Sequence, residues 1–337
     1  VNAFLVIDKP VGVTSHDIVA AVRAVTGEAK VGHTGTLDPF ATGVLALALG
    51  GTTRLVPFLD ESIKVYDATV QLGAATDTGD PTGEVIREAP VPELDEARVL
   101  EVLAGFVGDQ VQKPPAYSAV KVRGKPLYHY ARKGEEVEAA ARPITIRAMR
   151  LVSLARDSLR IEIHCSRGTY ARVIADDVAT ALGTAGHLSQ LARLRSGPFL
   201  IEDALSIEQL SAIVAEQPGL DWHDVLIAKG RSREERVRWK PRDQVCTALG
   251  PWLRTPLAAL SHLPLLDVDA ATARRIRNGA VPDRVPGGLR LGGQFLIVEG
   301  ADVVAVAEAG ATGAKVLRVL SDAPAPDPRH RRRKRGP

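Results

Sequence analysis

The chain has 337 residues, 45% hydrophobic and 25% charged, with a formal net charge of +3. That length exceeds one ordinary core and predicts a large first domain and a smaller second one, both globular. No apolar run reaches membrane-spanning length, and Val1–Lys9 lacks the basic region that precedes a signal peptide's apolar stretch. Cys165 and Cys246 stand 81 positions apart, which suits a reducing cytoplasm and speaks against a disulfide or zinc framework. Six cations lie in the last nine residues, and without them the balance is 37 cations to 40 acids. Contact with a polyanion must then come from local patches or from the tail.

In chain order, Phe4–Asp8 reads as a short buried strand. Thr14-Ser15-His16-Asp17 starts a helix with Ile18, Val19, Val22 and Val25 on one face. A twelve-residue turn, Gly32–Gly43, then carries Asp38 between glycines, followed by the apolar run Val44–Leu49. A strand is predicted over Ile63–Leu72, a polar loop over Asp77–Gly83 and a helix over Leu94–Phe106. Lys113-Pro114-Pro115 opens an exposed basic stretch that runs to Lys133. Leu159, Ile161, Ile163 and Cys165 alternate with Arg160, Glu162 and His164, a strand with one buried face. Helices follow over Tyr170–Leu182, with Thr169 as N-cap, and over Leu205–Val214. Residues 229–242 hold seven cations against two acids and read as an insert. From about Leu265 a second domain begins, with strands at Gly288–Leu291, Gln294–Val298, Val303–Ala307 and Val316–Leu320. The Pro-rich stretch from Ala323 and the basic tail read as disordered.

Asp38 is the first candidate for chemistry. An Asp before Pro commonly closes a turn on its own backbone. Two Gly-Thr pairs and His33 around it weaken that reading without removing it, and a carboxylate aimed at a substrate stands beside it. Such a group is ionised at neutral pH and needs holding rather than a base. Arg172, early in a helix after Gly168, could hold it, although its spacing alone reads as a solvated helix residue. Tyr66 shares a strand face with Lys64 and Ala68, where a half-buried Tyr is ordinary. Gly32–Thr36 could cradle a phosphate but lacks the P-loop and dinucleotide patterns, and the histidines have no metal-ligand spacing.

These pieces occur together with Asp8-Lys9-Pro10, Lys64-Val65-Tyr66, Pro114–Lys121, Gly124-Lys125, Leu127-Tyr128, Tyr130-Ala131-Arg132, Cys165–Arg172 and Leu191-Arg193-Leu194-Arg195. In that order, from about Phe4 to about Leu210, the chain closely resembles the TruB-type tRNA pseudouridine synthases, which isomerise a uridine of the T-loop (position 55). The resemblance implies an α+β fold with a mixed, mainly antiparallel sheet in residues 1–215, carrying an RNA-gripping insertion at about 110–145. It further implies a basic linker at 216–260, a small β-rich PUA-like RNA-binding domain at 261–322, with Arg277–Pro282 its most typical stretch, and a tail at 323–337.

It also assigns roles. Asp38 is the catalytic aspartate, Arg172 its ion-pair partner, and Tyr66 lies against the base. Tyr170 and Leu191 line the pocket, Lys9 and Pro10 lie near it, and His33 contacts the RNA as the base is extruded. Thr36, Lys64, Tyr117, Lys121, Lys125, Tyr128 and Arg132 bind substrate. The implied protein is a cytoplasmic monomer that acts on the tRNA T-arm with no cofactor, metal or membrane. Arg172 is expected to lower the pKa of Asp38, and Tyr66 is a candidate base or relay for the C5 proton. A non-catalytic tRNA-folding chaperone is the alternative. A small-molecule nucleoside isomerase leaves the basic-aromatic stretch unexplained.

Overall fold

The computed structural model describes residues 1–60, 62–135, 137–216 and 240–320. The Pro-rich stretch and the Arg-rich tail lie outside the described residues, as does the basic insert except for its last three positions.

The first unit runs β1 (Ala3–Lys9), α1 (Ser15–Thr26), β2 (Val31–His33), β3 (Thr42–Leu49), β4 (Lys64–Leu72), β5 (Ala74–Thr76) and β6 (Val85–Glu88). It continues with α2 (Glu96–Gly105), β7 (Gly108–Gln112), β8 (Lys121–Val122), β9 (Lys125–Pro126), α3 (Leu127–Ala131), β10 (Arg142–Leu154) and β11 (Ser158–Cys165). Then come α4 (Ala171–Ala181), β12 (Gly186–Ser196), β13 (Phe199–Leu200) and α5 (Ile207–Val214). A helix at Arg242–Ala248 precedes β14 (Leu253–Arg254). Val245 and Leu249 of this stretch are buried in the main core, and β14 adds an edge strand beside β1. The last part holds β15 (Leu265–Asp267), a helix at Ala270–Arg277, β16 (Gln294–Glu299), β17 (Asp302–Gly310) and β18 (Gly313–Val319).

The main sheet runs β14-β1-β3-β12-β4-β11-β10-β7, with β2 on β3 and β13 on β12. Among the described residues its pairs are antiparallel except β3 with β12. This is the expected mixed, mainly antiparallel architecture. The smaller sheet has the order β15-β16-β17-β18.

Helices α1, α2 and α4 cover one face of the main sheet. The other face, over β1 and β3, is covered by Leu296, Val298, Val303, Val306 and Leu320 of the last part. Leu5, Ile7, Leu45 and Leu47 therefore enter one core while Phe4, Val6, Val44 and Ala46 enter the other. A strand buried on both sides reads as a continuous apolar run, which is why Val44–Leu49 shows no alternation. β11 is covered on one side only and alternates.

Helix α1 starts with a full capping box, Thr14 and Asp17 each satisfying the other's backbone N–H, and ends at Gly27 in the left-handed region. Most elements form within two residues of the bounds read from sequence. The strand expected at Gly288–Leu291 does not form. Turns occupy that stretch, with Gly288 at φ +78°, and Leu291 is exposed.

Gly43 is the close approach on which the parallel pairing rests. It sits opposite Arg193 at φ +96°, and a Cβ there would lie 2.3 Å from the Arg193 carbonyl oxygen. Gly43→Ala should cost about 2–4 kcal/mol of unfolding free energy in a urea melt, combining backbone strain with a backbone clash. A loss below about 0.5 kcal/mol would show that this pairing shifts freely.

Candidate active site

Asp38 lies in the turn before β3. Its main-chain carbonyl closes the turn by accepting from the Ala41 N–H at 3.1 Å. Its carboxylate reaches Arg172, with Oδ2 3.0 Å from Nε. The turn is closed by backbone, and the side chain meets a cation.

Arg172 is the second residue of α4 and only 5% exposed, not the solvated helix residue that spacing alone suggests. Nη1 donates to the Thr78 carbonyl at 2.6 Å, and Nη2 donates to the Tyr117 carbonyl at 2.7 Å. Asp80 Oδ2 stands 3.8 Å from Nη1. A cation in the first turn of a helix opposes the helix dipole, at a cost of roughly 0.3–1 kcal/mol. Two carboxylates and two carbonyls outweigh that. The N-cap of α4 is Tyr170 rather than Thr169, whose hydroxyl donates to the Ser166 carbonyl at 2.9 Å. Gln112 holds Tyr170 in place: it accepts from the Tyr170 N–H at 2.8 Å and donates to the Tyr170 carbonyl at 3.2 Å.

Asp38 and Arg172 form part of the wall of a cavity of about 500 Å³, a size suited to a compact organic group. Four of the chain's five tyrosines, Tyr66, Tyr117, Tyr128 and Tyr170, line it. Thr36, Lys64, Arg132 and Leu191 line it too. At the rim, the Arg132 guanidinium lies 5.5 Å from the centre of the Tyr128 ring. Tyr130 of the same insertion points away and donates to the Val122 carbonyl at 3.1 Å, bracing the β8–β9 hairpin.

Five of the residues read from sequence are not on this wall. Lys9 is fully buried beneath the turn, its Nζ donating to the carbonyls of Pro10 (2.8 Å), Val13 (2.8 Å) and Pro39 (3.3 Å). Pro10 takes part through that carbonyl. His33 packs its ring edge-on against His16, 5.5 Å between centres. Burial, with His16 and Arg193 nearby, pushes its imidazole below the usual range. Lys121 and Lys125 are exposed on the hairpin. Conversely, Thr78, Asp80, Thr82, Ser118 and Arg193 line the cavity and were not singled out from sequence. The signal for Asp80 was the turn-forming density of the loop around it, and for Arg193 its place two residues after Leu191 in the same motif.

The electrostatics are finely opposed. Desolvation pushes the Asp38 carboxyl above its usual range, and Asp80 adds to the rise. Arg172 and Lys9 pull it down, but by less. Arg172 thus lowers the pKa as expected of it, while the net direction is upward. Burial brings the Lys9 amine down to about 8. Burial also pushes the Tyr66 phenol up, against a smaller pull from Arg193.

Residues 23–171 match the model of the TruB family pseudouridylate synthase N-terminal domain. A curated relative from Geobacter sulfurreducens, tRNA pseudouridine synthase B, is 41% identical over 333 residues, covering 95% of this chain and 98% of its own. A protein of the same name from Aromatoleum aromaticum is 48% identical over 216 residues, covering 64% of this chain and 70% of its own. Among solved structures, a Cbf5-Nop10-Gar1 complex aligns with a TM-score of 0.67 at 24% identity, covering 95% of this chain and 85% of that one. This last likeness is one of fold. Identity of 41% sustained along nearly the full length of both sequences goes further, and this chain belongs to the TruB family of pseudouridylate synthases.

Proposed function

We propose that this protein isomerises uridine to pseudouridine in the T-loop of tRNA (position 55), with Asp38 as the acting carboxylate. The observation that carries this reading is the Asp38–Arg172 pair, 3.0 Å apart on the wall of a tyrosine-lined cavity.

The reaction breaks the N-glycosidic bond, rotates the uracil and joins its C5 to C1′. Asp38 can attack C1′, attack uracil C6 or remove the C2′ proton, and each route starts from an ionised carboxylate. Desolvation makes that carboxylate more basic, and Arg172 favours its ionised form. Tyr66 is poorly suited to be a base once burial has raised its phenol further. Its role in this reading is the aromatic face against which the uracil lies. Extruding the base from the loop costs roughly a few kcal/mol. Stacking on Tyr128, backed by Arg132, and phosphate contacts from Lys121 and Lys125 offset that cost.

His33, outside the cavity, contacts RNA rather than the reacting base in this reading. Residues 261–322 serve as a second RNA-binding surface, and the basic tail adds salt-sensitive affinity. In this reading the protein acts as a monomer, in the cytoplasm where the substrate is. A tRNA-folding chaperone would use the same outer surface but has no need of a desolvated carboxylate–guanidinium pair.

Asp38→Asn should abolish pseudouridine formation in purified tRNA and leave tRNA affinity within a few fold. Conversion at the wild-type rate would remove Asp38 from the reaction. Arg172→Ala should lose nearly all turnover while remaining folded; a loss under about tenfold, or ~1.4 kcal/mol of barrier, would mean the ion pair is not central.

A plot of kcat/KM against pH should be bell-shaped. The active carboxylate is the ionised one, so activity falls as pH drops through an Asp38 pKa lying above the ordinary 3.8. It falls again above about 8 as Lys9 loses its proton and its hold on the Pro39 carbonyl. In Lys9→Arg the basic limb should move to higher pH. An unchanged basic limb in that variant would assign the limb to another group.

A further inference from the structure

β12 carries a buried cation that the scheme above leaves without a task. Arg193 is 1% exposed and heads the largest fully buried side chains among the described residues. A buried guanidinium is tolerated only when its donors are satisfied. Here the partners are main-chain oxygens. Nε donates to the Val44 carbonyl at 2.8 Å, Nη2 to Gly35 at 3.0 Å and Nη1 to Thr36 at 3.2 Å. Tyr66 stands opposite Arg193 in the β12–β4 register, and both residues line the cavity.

The three carbonyls straddle Asp38. Gly35 and Thr36 precede it on one arm of the turn, and Val44 follows on the other. One rigid fork therefore ties both arms together and links them to the aromatic wall. A Cβ at Gly35 would lie 3.1 Å from Lys64 Nζ and 3.7 Å from Arg193 Nη1. From below, Lys9 holds the carbonyl of Pro39, the residue after Asp38. A lysine at position 193 could not span the same acceptors, because its donors radiate from one point instead of from a planar fork.

We propose that Arg193 is a positioning residue for the isomerisation: it fixes the spacing between the Asp38 carboxylate and the Tyr66 ring, and so the place where the reacting nucleotide sits between them. It acts through the turn and through Tyr66, and it deepens the isomerase reading on which it rests.

The test is single-turnover pseudouridine formation on tRNA by the full-length wild type, Arg193→Lys and Arg193→Gln, with tRNA Kd and thermal melting measured on the same samples. Arg193→Lys keeps the charge and most of the stem, and is the variant read if Arg193→Gln fails to fold. The expected result is a rate constant at least tenfold lower in Arg193→Lys and at least a hundredfold lower in Arg193→Gln, with Kd within threefold of wild type. An Arg193→Lys rate within threefold of wild type would overturn the proposal. So would a rate loss matched by an equal loss of tRNA affinity or of folded protein. A wild-type protein that makes no pseudouridine would instead overturn the isomerase reading itself.

Discussion

A carboxylate that is to act on a nucleotide must be ionised yet shielded from water, and those demands oppose each other. Here the opposition is resolved by one guanidinium. Arg172 draws together the Asp38 turn, the loop carrying Thr78 and Asp80, the start of the insertion at Tyr117 and the first turn of α4. Without that cation the Asp38 carboxylate and the carbonyls of Thr78 and Tyr117 would lose their shared donor, while Asp80 would keep the hydrogen bonds it accepts from Thr78 and Thr82. Four separate stretches of chain thus meet at one cation, which sets their local arrangement around the cavity.

Much of this was legible in the sequence, and the reasons differ from element to element. The start of α1 was readable because Thr14 and Asp17 form a local capping box. β11 was readable because only one of its faces is covered. The apolar run Val44–Leu49 signalled burial but not strand type, since its alternate residues enter two different cores. β12 was hidden by register shifts near Leu188 and near Arg193, which break the two-residue period.

Arg172 and Arg193 were the hardest to place. Most of their partners are main-chain carbonyls, and no residue type announces a carbonyl. A sequence shows that a cation is present but not that distant backbone oxygens will close around it. Pattern-matching to a family brought Arg172 to Asp38 without explaining why a guanidinium could be buried there. The carbonyls of Thr78 and Tyr117 supply that reason. The same gap left Arg193 as one letter in a motif. In the last part, β15 is only three residues long and leaves no periodicity to read, whereas Gly288–Leu291, read as a short strand, is bounded by Gly288 and Gly292 at positive φ and forms turns instead.

The double burial of β3 bears on how such a protein can change. Six of its eight residues supply side chains to two interiors, while its first two carry the end of the Asp38 turn. A substitution at Val298 or Val306, on the far side of the sheet from the cavity, presses on the same strand that anchors the carboxylate. The C-terminal part is therefore not a detachable module. Exchanging it for a foreign RNA-binding domain would mean refitting the packing surface of β1 and β3, and the geometry of the reaction would be at stake in every such exchange.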